Sequence, residues 1–119
     1  MLDLKSWRFI GHTSARAGID IIAYNQKLAH LYPPGADSGT ITIVGVSSSD
    51  APAALKTADT VDGVHCAPTD DRDQVYVCDP MHGKIPIFKD SCLPAKRRPI
   101  RAFFSGRFSR INTAGRSGL

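Results

Sequence analysis

The sequence predicts an all-β fold of short antiparallel strands, and three observations carry that expectation. The first is the stretch Gln74 to Phe88, QVYVCDPMHGKIPIF. Val75, Tyr76 and Val77 are β-branched or aromatic, as strands prefer. Pro80-Met81-His82-Gly83 breaks the run with turn residues. Ile85, Ile87 and Phe88 resume it with apolar residues in alternation, the pattern of an antiparallel hairpin. The second observation is an earlier copy of this pattern. Leu31-Tyr32 precede a turn closed by Asp37-Ser38-Gly39, and Ile41 and Ile43 follow. Gly39, Ile41 and Ile43 match Gly83, Ile85 and Ile87 at a shift of 44, and Gly18-Ile19 matches Gly63-Val64 at 45. The one-residue difference falls in a loop, where an insertion costs little. The third observation is that all eleven acids are Asp. Glu, a common helix former, is absent.

A period near 44 residues, filled with short strands and turns, is the signature of β-propeller blades. The expected fold is therefore two four-stranded antiparallel blades, about residues 1–46 and 47–92, followed by an irregular basic tail over 93–119. A closed ring needs four or more blades of this length, so the 119 residues are expected to be part of one.

Taken in order, Leu2 and Leu4 alternate with Asp3 and Lys5 as a strand fragment. Trp7 to Ile10 is strand-like, and GHTSARAG over 11–18 is a loop. Ile19 to Tyr24 reads as an inner strand and Asn25-Gln26-Lys27 as its turn. Leu28 to Tyr32 is the next strand, which Pro33-Pro34 ends early because proline donates no ladder hydrogen bond. Thr40 to Val46 is the clearest strand of the first half, and Ala53 to Thr57 is a weak outer one. Val64 to Pro68 repeats the inner strand, and Thr69 to Asp73 is a charged turn. Pro86 is tolerable in the last strand only where its missing N–H faces no partner. Alternation places Ile19, Ile21, Ile41, Ile43, Val64, Val75, Val77, Ile85 and Ile87 in the expected core.

Residues 1–92 hold eight Lys/Arg against eleven Asp, whereas residues 93–119 hold seven Lys/Arg and no acid. The net charge of +4 therefore comes from the tail. Three cysteines, an odd count without a CxxC pair, argue against a disulfide framework or zinc knuckle. Cys66 and Cys78 are expected to be buried thiols in strands. No apolar run reaches transmembrane length, and the N-terminus lacks the marks of a signal peptide. As written, the product is expected in the cytoplasm.

The stretch GVHCAPTDDRDQVYVCDPMHGKIPIF resembles a blade of the YVTN-type β-propellers, the group that includes lactonase-like propellers. In that pattern a Gly-x-x-x-Val inner strand leads to an Asp-rich turn, and a V-Y-V strand, a small polar turn and an I-x-V-F/I strand follow. Residues 18–46 resemble the same unit. The likeness covers roughly residues 1–90. It implies a partial propeller acting as a binding or scaffold module, without activity of its own. It also implies, as alternatives, a metal-dependent lactonase-like hydrolase in a full ring, and a periplasmic or secreted location for a full-length relative. Pro33-Pro34 and Pro86 depart from the pattern. Blades of this kind serve many functions, so the resemblance bears on architecture more than on activity.

Asp20 and His65 stand at near-equivalent positions, each two residues after the repeat's glycine. In the resembling propellers that position begins the innermost strand, beside the central channel. An Asp–His pair there can contact a ligand, hold part of a divalent cation's shell or move a proton. The plainer reading is hydrogen bonding to loop backbone, since no third ligand is evident. Asp70, Asp71 and Asp73 lack the spacing of a calcium loop and read as a solvated turn. His12 and Ser14 belong to no nucleophile-elbow motif. Lys96, Arg97, Arg98 and Arg101, with interleaved phenylalanines, can track nucleic-acid phosphates and stack bases, although nothing folds them into a groove. Further blades or copies of the chain itself are the expected partners. The residues specify neither a small-molecule ligand nor a cofactor.

Overall fold

The structure, a computed structural model, describes residues 1–47 and 50–95. Among them are nine short strands and no α-helix, hence no helix long and apolar enough to cross a membrane. β1 (Leu2–Asp3) and β2 (Arg8–Phe9) form a hairpin of their own. β3 (Ala23–Asn25), β4 (His30–Tyr32), β5 (Pro34–Gly35), β6 (Thr40–Gly45) and β7 (Ala53–Asp59) form one five-stranded sheet. β8 (Gln74–Tyr76) and β9 (Ile87–Lys89) form a second two-stranded ladder. Every pairing is antiparallel.

β6 is the centre of the large sheet. Its threonines, isoleucines and valine suit a strand paired on both edges. One edge meets β4 (Leu31 opposite Val44) and then β5 (Pro34 opposite Ile41); the other meets β7. Pro33-Pro34 therefore interrupts the neighbouring strand without ending it. The Pro33 carbonyl still accepts the Thr42 N–H at 3.2 Å, so the proline serves the ladder as an acceptor. β7 pairs directly with β6 and shifts register beside Ile43 and Val44, so Leu55 has no opposite residue.

The second half does not form the expected second four-stranded sheet. Of the expected 47–92 blade, β7 joins the large sheet instead, Val64–Pro68 forms no strand, and the remaining pairing outside β8 and β9 is reduced to isolated bridges, Thr69 with Val75 and Asp79 with Lys84. Proline accounts for this, because Pro68 and Pro86 flank β8 and neither can donate. Each accepts instead, from Tyr76 N–H and Val77 N–H, both at 2.8 Å. The basic residues from 96 onward lie outside the described residues.

The sequence shift reappears in the backbone. Left-handed φ occurs at Gly18 and Gly63 (79° and 74°), Ala29 and Asp73 (56° and 65°), and Gly39 and Gly83 (both 60°). These pairs stand 45, 44 and 44 residues apart. Val46 N–H donates to Ala29 O at 2.9 Å, and 44 residues later Asp90 N–H donates to Asp73 O at 2.8 Å. The Gly35–Thr40 pair recurs as the Asp79–Lys84 bridge.

The core lies between the large sheet and the second unit. Tyr32 and Ile41 meet Val64, Ala67, Val75 and Val77 there. Of the nine expected core positions, Ile41, Val64, Val75 and Val77 are buried and Ile43 is half-buried. Ile19, Ile21, Ile85 and Ile87 are exposed. Alternation shows which residues share a face, and it does not show which faces stay largely exposed, as at these four positions.

Cys66 and Cys78 are joined in a disulfide rather than standing as thiols. The Cys78 N–H donates to Cys66 O at 2.9 Å, which brings the two Cα atoms to 5.2 Å. That separation lies inside the range a disulfide spans. The odd count argued against a framework of several bonds, but a single bond needs only one adjacent pair.

Gly39 and Gly83 share a φ of 60° in different surroundings. A Cβ on Gly39 would lie 2.7 Å from the Asp62 carboxylate, whereas one on Gly83 meets nothing within 4 Å. Gly83→Ala should lose about 1–2 kcal/mol, the ordinary penalty of a left-handed L-residue. Gly39→Ala should lose more. Urea unfolding of the two variants measures the difference, and equal losses would show that Asp62 moves aside freely.

Candidate functional site

Asp20 and His65 are in contact. His65 Nδ1 lies 3.3 Å from Asp20 Oδ2, and both side chains are more than half exposed, at 56% and 57%. Two local features bring them together. The bridge between Ile19 and Gly35 holds the first segment to the large sheet. Ile21 N–H then donates to the His65 carbonyl at 3.2 Å and sets the second segment alongside. An exposed pair of this kind contributes little stability, so its retention is not needed for the fold. It offers one carboxylate and one imidazole to solvent at the same point. No group of three or more His, Cys or Asp side chains able to hold a metal occurs among the described residues. His12 lies elsewhere, against the Phe9 ring, with centroids 6.2 Å apart.

The acidic turn is occupied by internal contacts. Asp70 accepts the backbone N–H groups of Arg72 and Gln74 at 2.9 and 3.0 Å. It also accepts the Arg72 guanidinium and the Tyr76 hydroxyl. Partial desolvation works to raise this carboxyl, but the Gln74 N–H, Tyr76 and Arg72 overcome it and hold it well below the usual carboxylate range. Asp73 is buried and accepts Lys27 at 2.8 Å and Asn25 at 3.1 Å. Two of the three turn carboxylates therefore have structural partners. An open cleft of about 440 Å³ lies beside the turn, between Tyr24, Lys27, Thr69 and Asp71.

A buried polar cluster has no counterpart in the sequence expectations. The Asp90 carboxylate accepts Tyr32 Oη–H at 2.6 Å and is paired with His30 Nδ1 at 2.7 Å. His30 Nε2 lies 3.1 Å from the Leu93 carbonyl, and Cys92 N–H donates to the second Asp90 oxygen at 2.9 Å. The His30 and Asp90 side chains are 0% exposed. A His–Asp–Tyr set would suit proton transfer in an open cleft. Here the His30 and Asp90 side chains are enclosed, and their contacts tie β4 to the segment after β9. Beside it, Tyr32, Ile41, Val75, Phe88 and Asp90 line a cavity of about 90 Å³. The one available signal was His30, a polar residue inside the apolar run Leu28–Tyr32. Its partner Asp90 is 60 residues away, and no local pattern connects them.

The remaining candidates, Lys96, Arg97, Arg98 and Arg101, lie outside the described residues. No family model, curated protein or solved structure matches the chain.

Burial pushes the Asp90 carboxyl up. The hydrogen bonds from Tyr32, His30 and Cys92 outweigh burial and hold it below its ordinary value. Its stabilising effect is therefore complete above the unfolded value of about 3.9 and fades as pH falls through the folded one. Asp90→Ala should lose about 3–5 kcal/mol at pH 7, the range for breaking a buried pair. Urea unfolding at pH 7 and at pH 3 should show the gap between parent and variant narrowing in acid. An unchanged gap would mean that the carboxylate charge is not what holds the cluster.

Proposed function

We propose that the chain consists of consecutive β-propeller blade repeats, similar to those of YVTN/lactonase-like propellers, and acts as a binding or scaffold module without activity of its own. The agreement of the sequence shift with the backbone carries this reading. Three pairs of left-handed residues stand 44 or 45 apart, and Gly39 and Gly83 both end turns that precede an Ile-x-Ile segment. Short antiparallel strands in a meander around β6 support it further. In such a module the Asp20–His65 end is the ligand-facing one, because successive repeats deliver equivalent residues to one point there. The Cys66–Cys78 disulfide favours an oxidising compartment, which fits the periplasmic or secreted alternative better than the cytoplasm.

A second reading, a metal-dependent lactonase-like hydrolase, draws support from the 3.3 Å Asp20–His65 contact. It is weaker because a metal or an activated water needs more ligands than these two. The two readings separate in one assay. With Ca²⁺ or Mn²⁺ supplied, hydrolysis of simple γ- and δ-lactones by the chain should stay at the buffer rate. Metal-dependent turnover that Asp20→Asn and His65→Asn both abolish would establish the hydrolase instead.

A further inference from the structure

Each unit has two apolar faces, and the internal junction uses one from each. The face of the first unit carrying Ile41 and Ile43 meets the face of the second carrying Val64 and Ala67. The two unused faces repeat the same chemistry. Ile85 and Ile87 stand where Ile41 and Ile43 stand, 44 residues on. Ile41 is 3% exposed, yet Ile85 is 63% and Ile87 57%. Likewise Ile19 and Ile22 occupy the places of Val64 and Ala67, 45 residues earlier. Val64 and Ala67 are fully buried, whereas Ile19 is 44% and Ile22 50% exposed. The molecule thus exposes the counterparts of Ile41, Val64 and Ala67, residues of a junction it has already made once.

We propose that a second copy of this chain docks through these faces, with the Ile85–Ile87 face of one copy against the Ile19–Ile22 face of the next. The contact is head-to-tail, so it repeats until the rotation closes a ring. This rests on the propeller reading above. Rings of that architecture hold about four to eight units, so about two to four copies of a two-unit chain complete one. The internal junction is the template for the occupant, since its apolar halves are the ones left exposed.

Sedimentation velocity of the full chain tests the proposal. The expected particle has about two to four times the 12.8 kDa chain mass and dissociates on dilution. Ile85→Asp with Ile87→Asp should give a monomer, and so should Ile19→Asp with Ile22→Asp. Mixed in equal amounts, the two variants share one intact pair of faces. They should form a one-to-one pair of about twice the chain mass and stop there. Mixed variants that remain monomeric, or single variants that keep the parent mass, overturn the head-to-tail contact. A parent monomer with β-sheet circular dichroism overturns the docking while leaving the repeat fold standing. The Ile85 face would then be met by residues 96–119 or by nothing. A random-coil spectrum removes the repeat reading and the docking together.

Discussion

The Asp90 carboxylate is a charge placed where water does not reach, and such a group is tolerated only when its oxygens are filled. Tyr32 and His30 fill one oxygen, and the Cys92 N–H fills the other. Tyr32 and His30 belong to β4 in the large sheet, whereas Asp90 follows β9 in the second unit. Satisfying the charge therefore fixes one unit against the other. The Asp90 N–H also donates to the Asp73 carbonyl, and the Asp73 carboxylate takes Asn25 and Lys27 from the turn after β3. Both ends of the β3–β4 hairpin are held in this way. Apolar burial between the units is non-directional and would allow them to slide. The two carboxylates give the junction its register.

The repeat and most strands were legible because they depend on local patterns. Alternation around Ile41 and Ile43, the turn glycines and the strand residues near Val75 are readable within a few residues. The buried cluster was not legible, because His30 and Asp90 are joined only by tertiary folding. Nor could alternation tell Ile41 from Ile85. Their sequence surroundings match, and only the neighbouring unit separates a buried isoleucine from an exposed one. The Asp20–His65 contact was suggested by equivalent positions after two glycines, and the structure places those side chains together. The disulfide escaped because it depends on a tertiary approach, the Cys78 N–H reaching the Cys66 carbonyl, which spacing alone does not supply.

Proline and the disulfide act on the same part of the molecule. Pro68 and Pro86 remove donors on either side of β8, so the second unit has a thin ladder. The Cys66–Cys78 bond joins two of its thinly paired segments across a separation of 12 residues. Closing a loop of that size restricts the unfolded chain by roughly 3 kcal/mol. A covalent tie thus reinforces the two backbone bonds, Cys78 to Cys66 and Tyr76 to Pro68, that link these segments. The large sheet, with β6 paired on both edges, needs none.

The polar contacts of the junction are not repeated. Counting 44 residues along, His30 becomes Gln74; counting back, Asp90 becomes Val46 and Asp73 becomes Ala29. Only the apolar halves recur on the outer faces. The internal junction is therefore specified by charge, and any outer one is held by shape and burial alone. This difference also orders the candidate site. Asp20 precedes β3 and His65 precedes β8, so neither unit contains both residues. They meet because Ile21 N–H reaches the His65 carbonyl across the docked units. Whatever holds the junction in register also assembles the Asp20–His65 pair. The exposed Asp20–His65 pair and the enclosed Asp90 cluster thus both span the same two docked units.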